Sequence, residues 1–177
     1  MGYCYLAGKS RGFVKEDDQE EAPFIPPRAA LPDGVPNYVT PRGLQQLQEE
    51  KAGLEAERSL EHENDDARRR AWAVIDGKLA LLEERIVTAR VVEPPVEEPD
   101  EVRFGMRITV RFGPGPQHGV ERDLTIVGVD EASVKDGLIS FTAPIARALI
   151  GKRVGEEATY PLGSGEQRLA VLAIANG

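Results

Sequence analysis

Pro41-Arg42-Gly43-Leu44-Gln45-Gln46-Leu47-Gln48-Glu49-Glu50-Lys51-Ala52-Gly53-Leu54 opens the stretch, residues 41 to 92, whose period decides the fold. Leu44, Leu47, Lys51, Leu54 and Arg58 recur at alternating steps of three and four, and Trp72, Ile75, Leu79, Leu82, Ile86 and Ala89 repeat the rhythm. A 3.5-residue period draws one narrow stripe on each of two helices, and each stripe needs one facing partner. Between the stripes lies Ser59-Leu60-Glu61-His62-Glu63-Asn64-Asp65-Asp66, where the stripe positions turn charged and Asn64 or Asp65 can cap a new helix. The chain is expected to reverse there, folding two antiparallel helices into one protruding arm.

Helices of about 22 to 25 residues would be roughly 33 to 38 Å long. The end of the arm carries four carboxylates, Glu61, Glu63, Asp65 and Asp66, within six residues. One reading is a solvated turn, with Asp65 and Asp66 favouring the helix N-terminus and pairing at i+4 with Arg69 and Arg70. Because Arg58, Glu61 and Asp65 give the distal seam no apolar contacts, the arm is expected to fray from its tip. The same stripes would also serve a dimerising coiled coil, the reading of a generic adaptor.

Thr40 is placed as the N-cap of the first helix and Pro41 as its first residue, where a missing N–H costs nothing. Residues 1 to 37 combine an acidic cluster, Glu16, Asp17, Asp18, Glu20 and Glu21, with prolines at 23, 26, 27, 32 and 36. Such a segment supports no regular ladder and offers little apolar surface, so a mostly disordered tail is expected. Within it Arg11-Gly12-Phe13-Val14-Lys15 and Phe24-Ile25 are the segments able to dock on a partner or on the protein itself. Residues 38 to 92 make the hairpin, and the acidic, proline-stiffened residues 93 to 101 make a linker.

From 102 to 177 the period changes to two. Met106, Ile108, Val110 and Phe112 alternate with Arg107, Thr109 and Arg111, as a half-buried strand requires. Further strands are expected at Leu124 to Val129, Leu138 to Phe141, Ala158 to Leu162 and Gln167 to Ile174, the last two joined by Gly163-Ser164-Gly165. Thr142 is the expected cap of a short helix from Pro144 to Ile150, with Ile145, Leu149 and Ile150 in the core. The fold class is α+β, a helical hairpin followed by an antiparallel-sheet domain with one short helix.

A net charge of -8 argues against holding nucleic acid by overall field and makes a protein partner the better expectation. No secretory leader pattern or run of eighteen apolar residues is present, and Cys4 is the single cysteine, so a cytoplasmic protein without membrane contact is expected. His62 and His118 lack companions at metal-ligand spacing. Arg68, Arg69 and Arg70 suit either steering of RNA or a salt-bridged helix face.

Asn37-Tyr38-Val39-Thr40-Pro41-Arg42-Gly43-Leu44, Val127-Gly128-Val129-Asp130-Glu131-Ala132, Ile139 through Lys152 and Val154-Gly155-Glu156 resemble the bacterial Gre transcript-cleavage factors. The resemblance spans residues 37 to 175. It implies an FKBP-like second domain that docks near the mouth of the RNA polymerase secondary channel, while the hairpin reaches toward the active centre and the nascent RNA 3′ end. It further implies a monomer that is not itself an enzyme. Glu63 and Asp66 would be the catalytic acids lent in trans. With Asp65 they would help hold a Mg²⁺ shared with the polymerase. Carboxylates suit that task, because a hard cation takes oxygen ligands and lowers the pKa of its water. Asp130, Thr142, Pro144 and Arg147 would be the polymerase contacts, because the family's docking surface lies around its Ser-Pro-x-Ala-Arg-Ala-Leu segment; Ala143 stands in place of that serine.

The family's tip pattern, Asp-Leu-Ser-Glu-Asn-Ala-Glu, is met in part: Leu60, Glu63, Asn64 and Asp66 match, Ser59 falls where the leading Asp would, and one residue is inserted near His62. The first arm is on the order of two heptads shorter than in the cleavage factors. That shortness is similar to the Rnk-like branch, which binds polymerase without cleavage. A cleavage-promoting factor and a non-cleaving competitor both remain open on the sequence. An FKBP-like fold does not imply prolyl isomerisation. The domain has Phe104, Phe112, Phe141 and Tyr160 but no Trp for an apolar proline pocket.

Overall fold

The computed structural model describes residues 23–93, 95, 100–115 and 117–177. In chain order it contains β1 (Asn37–Val39), α1 (Pro41–Arg58), α2 (Asp65–Thr88), β2 (Ala89–Val91), β3 (Met106–Phe112), β4 (Glu121–Val127), β5 (Leu138–Ser140), α3 (Pro144–Leu149), β6 (Glu157–Leu162) and β7 (Gly165–Asn176).

The two heptad stripes meet within one chain. Leu47, Leu54, Ile75 and Leu82 are buried in a single cluster with Val39, and Leu44, Leu79, Ile86 and Ala89 pack against it. Cross-pairs fix the antiparallel sense: Lys51 Nζ lies 3.0 Å from Glu83 and Arg58 Nε lies 2.6 Å from Asp76. Thr40 caps α1 by accepting from Gly43 N at 2.9 Å, and Asn64 caps α2 by accepting from Ala67 N at 2.8 Å. The helices are unequal, however. At 18 and 24 residues they run about 27 and 36 Å, so the first is shorter than its period suggests.

The distal seam is also better closed than expected. The indole of Trp72 donates to the Arg58 carbonyl at 3.0 Å. The guanidinium groups of Arg58 and Arg68 lie 4.8 and 5.3 Å from its ring centroid, positions that favour a cation over an aromatic face. Since Trp72 is level with the end of α1, the seven helical steps from Trp72 back to Asp65 carry α2 roughly 10 Å beyond it. The tip is a single helix start, bridged by residues 59 to 64.

At the base, β1 pairs in parallel with β2, Asn37 opposite Ala89 and Val39 opposite Val91. Asn37 is buried and its Nδ2 donates to the Arg85 carbonyl at 2.9 Å, fastening the end of α2. The expected loose tail therefore ends before 37. Residues 23 to 36 form no regular element, yet they lie against the hairpin through Ile25, Arg28 and Ala29. The rest of that tail, including Arg11 to Lys15, lies outside the described residues, as does most of the linker.

The second unit is one five-stranded sheet ordered β5-β4-β3-β7-β6 with α3 against it. β3 alternates strictly: Met106, Ile108, Val110 and Phe112 are buried, the last three in one cluster with Val102, Leu124, Ile126, Ala146, Leu149, Leu169 and Val171. One pair departs from the expected antiparallel pattern. β4 and β5 run parallel, Thr125 opposite Leu138 and Val127 opposite Ser140. A parallel pair needs a crossover rather than a tight hairpin, and residues 128 to 137 supply it, ending at Gly137 with a φ of 73°. That crossover carries Asp130 and Glu131 out of the sheet toward the hairpin.

Candidate functional site: an acidic tip and the docked base

At the tip, Glu63, Asp65 and Asp66 are all exposed. They begin or precede α2, where the helix dipole favours negative charge. Asp65 pairs with Arg68 at 2.9 Å and Asp66 pairs with Arg69. The spacing is i+3 rather than the expected i+4, because the first turn directs each aspartate along the helix toward the residue three ahead. Glu63 forms no ion pair among the described residues. Arg70 points its Nε at the Asp66 carbonyl at 3.4 Å. No group of three or more His, Cys, Asp or Glu among the described residues is arranged to hold a metal ion. The tip offers hard oxygen donors suited to Mg²⁺, and further ligands would have to come from outside the chain.

The expected polymerase contacts divide into two sets. Pro144 and Arg147 are exposed on α3, one turn apart, free to meet another surface. Thr142 is half-buried and shares a 2.7 Å hydrogen bond with Ser140 Oγ. It does not cap α3. The N-cap is Ala143, which has no side-chain acceptor, so the helix start relies on Pro144, whose missing N–H removes one orphan donor. Ile150 is 43% exposed and belongs to this surface rather than to the core.

Asp130 is the correction. Its side chain is only 6% exposed and sits between Arg28 Nε at 2.8 Å and Arg85 Nε at 3.6 Å. Arg28 also forks onto Glu50 of α1 at 2.8 and 3.0 Å. The hydrogen bond to Glu50 holds the Arg28 guanidinium above its ordinary pKa against the opposing cost of burial, with Asp130 adding to the rise. An internally neutralised carboxylate presents little charge to a partner. Asp130 is a bracket joining the second unit to both helices.

Three further contacts complete the base. Thr40 Oγ1 donates to Glu131 Oε1 at 2.7 Å, setting a buried carboxylate at the N-terminus of α1, where the dipole offsets its charge. The Tyr38 ring packs on Phe104 and Phe141 with centroids 6.0 and 5.6 Å apart. Gly128 approaches the Tyr38 carbonyl so closely that a Cβ would lie 2.7 Å from it. The aromatic residues of the second unit are thereby split: Phe104 and Phe141 serve the hairpin base, while Phe112 and Tyr160 line a separate hollow with Ile139 and Ile145. No helix of the described residues is long and apolar enough to cross a membrane.

Residues 97–176 match the family model described as transcription elongation factor, GreA/GreB, C-term. The chain is 36% identical over 109 residues to transcription elongation factor GreA of Acidiphilium cryptum, covering 62% of this chain and 68% of that protein. It is 32% identical over 145 residues to GreA of Thermodesulfovibrio yellowstonii, covering 73% and 89%. The crystal structure of GreA factor homolog 1 of Thermus thermophilus is similar at 21% identity and a TM-score of 0.36, over 80% of this chain and 99% of that one.

Proposed function

Since the chain belongs to the GreA/GreB family of transcription elongation factors, we propose that it binds bacterial RNA polymerase through α3 and presents its acidic hairpin tip at the secondary channel to promote trimming of backtracked RNA. The observation that carries this reading is the polarity of the molecule. One end is a narrow helical projection bearing exposed carboxylates, and the other is a β-rich foot with Pro144 and Arg147 turned outward.

In the complex Glu63 and Asp66 lend carboxylate oxygens, and the polymerase supplies the nuclease chemistry. A Mg²⁺ held jointly would lower the pKa of its water and stabilise charge on the phosphate. For that, Asp66 must exchange its Arg69 pairing for the cation. Arg69 is exposed, so that pairing is weak and the exchange is cheap. Asn64 keeps the acids at a fixed helix start.

The test is RNA length in stalled, backtracked complexes with the full chain added. Trimming that is lost in Glu63→Ala combined with Asp66→Ala while binding persists supports the proposal. Binding without trimming by the unaltered protein would instead make it a non-cleaving occupant of the channel, a role that the 18-residue α1 also suits. Arg147→Glu is expected to weaken binding of both forms, measured by co-migration with polymerase.

A further inference from the structure

From the contacts of residues 23 to 36 we infer that this segment is a brace fixing the direction of the hairpin relative to the second unit, with Arg28 as its central positioning residue. The segment precedes β1 and has no regular structure of its own, so its placement comes from what it touches. Ile25 lies in the notch at Gly77 of α2, where a Cβ would come within 1.8 Å of its Cδ1. Arg28 joins two elements, reaching Glu50 of α1 with both terminal nitrogens and Asp130 of the crossover with Nε. The Ala29 carbonyl accepts from Arg85 of α2, and Arg85 also faces Asp130.

The Asp130 carboxylate is nearly buried, and Arg28 and Arg85 are 19% and 14% exposed in their side chains. Such ion pairs are poorly screened, and their geometry is specific because the guanidinium fork is rigid. Without Arg28 the hairpin would still be held by Tyr38, the Thr40–Glu131 bond and the Arg85–Asp130 pair near the end of α2. All of these lie at its root, close to the pivot. Arg28 acts partway along the arm, where Glu50 lies nine residues into α1, and so resists rotation with a longer lever.

The lever matters at the tip. A 10° rotation about the base of a helix of about 36 Å displaces its far end by about 6 Å. A carboxylate that is to share a Mg²⁺ must sit within a few tenths of an ångström of about 2.1 Å. This consequence rests on the function proposed above, but the brace itself does not.

The experiment measures the brace without polymerase. Spin labels go on Leu60→Cys at the tip and Val134→Cys on the second unit, both exposed positions, with Cys4→Ser removing the native thiol. Pulsed dipolar distances are compared for the otherwise unaltered full chain, Arg28→Ala, and a chain lacking residues 1–30. A narrow distribution that broadens or shifts by at least about 6 Å, the travel of a 10° swing, in both altered chains establishes the brace, provided circular dichroism and Trp72 fluorescence show hairpin and sheet intact. An unchanged distribution in both overturns it, as does loss of helix in both, which would make the segment part of the hairpin's own stability. RNA trimming by Arg28→Ala is read separately. Broadened distances with no trimming by the unaltered protein would sink the functional proposal and leave the brace standing.

Discussion

Leu82→Ala should loosen the hairpin without touching the sheet. Leu82 is wholly buried at the centre of the seam, in the cluster formed by Val39, Leu47, Leu54 and Ile75. Removing three carbons forfeits about 2.4 kcal/mol at ~0.8 kcal/mol each. The cavity adds to this, because two helices joined at both ends relax only in part, so the total cost is about 3 kcal/mol. Trp72 is the single tryptophan and lies on α2, so its fluorescence reports the hairpin alone. With an m-value of about 1.5 kcal/mol/M, the urea midpoint should fall by about 2 M. Val87→Ala, at an 84% exposed position of the same helix, should shift it by less than about 0.3 M, the equivalent of a surface change within ±0.5 kcal/mol. Both midpoints should be independent of protein concentration, because the stripes face each other within one chain. Equal shifts for the two variants, or a midpoint that climbs with concentration, would refute the intramolecular seam.

Two other outcomes follow from the base and the arm. Gly128→Ala forces a Cβ to within 2.7 Å of the Tyr38 carbonyl, so β1 or the crossover must move at a cost of about 1–3 kcal/mol, seen as a lower thermal midpoint together with altered tyrosine near-UV signal. In the arm, Glu83 hydrogen-bonds the Lys51 ammonium and holds its pKa above the ordinary lysine range. The folded-state value is the higher one, so this stabilisation is complete at neutral pH and is lost as pH rises through it. The Trp72 urea midpoint should therefore decline above about pH 10.4, and Lys51→Met should remove that part of the decline, which is small because the pair is exposed and screened.

The parts of the fold that are legible in the sequence are those that repeat. Five stripe positions on α2 and strict alternation through β3 each state a face several times over, and the structure uses both faces as read. The parts that are not legible rest on single contacts between distant residues. A three-residue strand such as Asn37–Val39 is too short to show a period, and its partner follows directly from a helix whose own rhythm runs through Ala89. The crossover cannot be told from a hairpin turn by its Asp136-Gly137 pair, which closes a 3-10 turn rather than a two-residue loop.

Charged residues at seam positions mislead in the same way. Arg58 interrupts an apolar stripe, yet its guanidinium covers Trp72 while its carbonyl accepts the indole N–H. At the candidate site the cluster of tip acids is read from the sequence and its role from the family resemblance, but the i+3 pairs at Asp65 and Asp66 depend on side-chain direction in the first turn. Asp130 is expected to be a surface contact on the family resemblance alone. Its burial is decided by Arg28 and Arg85, one from an irregular segment and one from the far end of α2. Arg28, set among the prolines that precede β1, is the sequence signal that points to such a bracket.

The reach of the tip is best measured inside the polymerase itself. With Cys4→Ser and an iron chelate attached at Leu60→Cys, hydroxyl radicals generated in the stalled transcription complex should cut polymerase segments that surround the catalytic centre. The cuts should remain when Glu63 and Asp66 are replaced by alanine, and should weaken with Arg147→Glu. Cuts confined to the outer surface of the polymerase, or none above those from free chelate, would contradict the account.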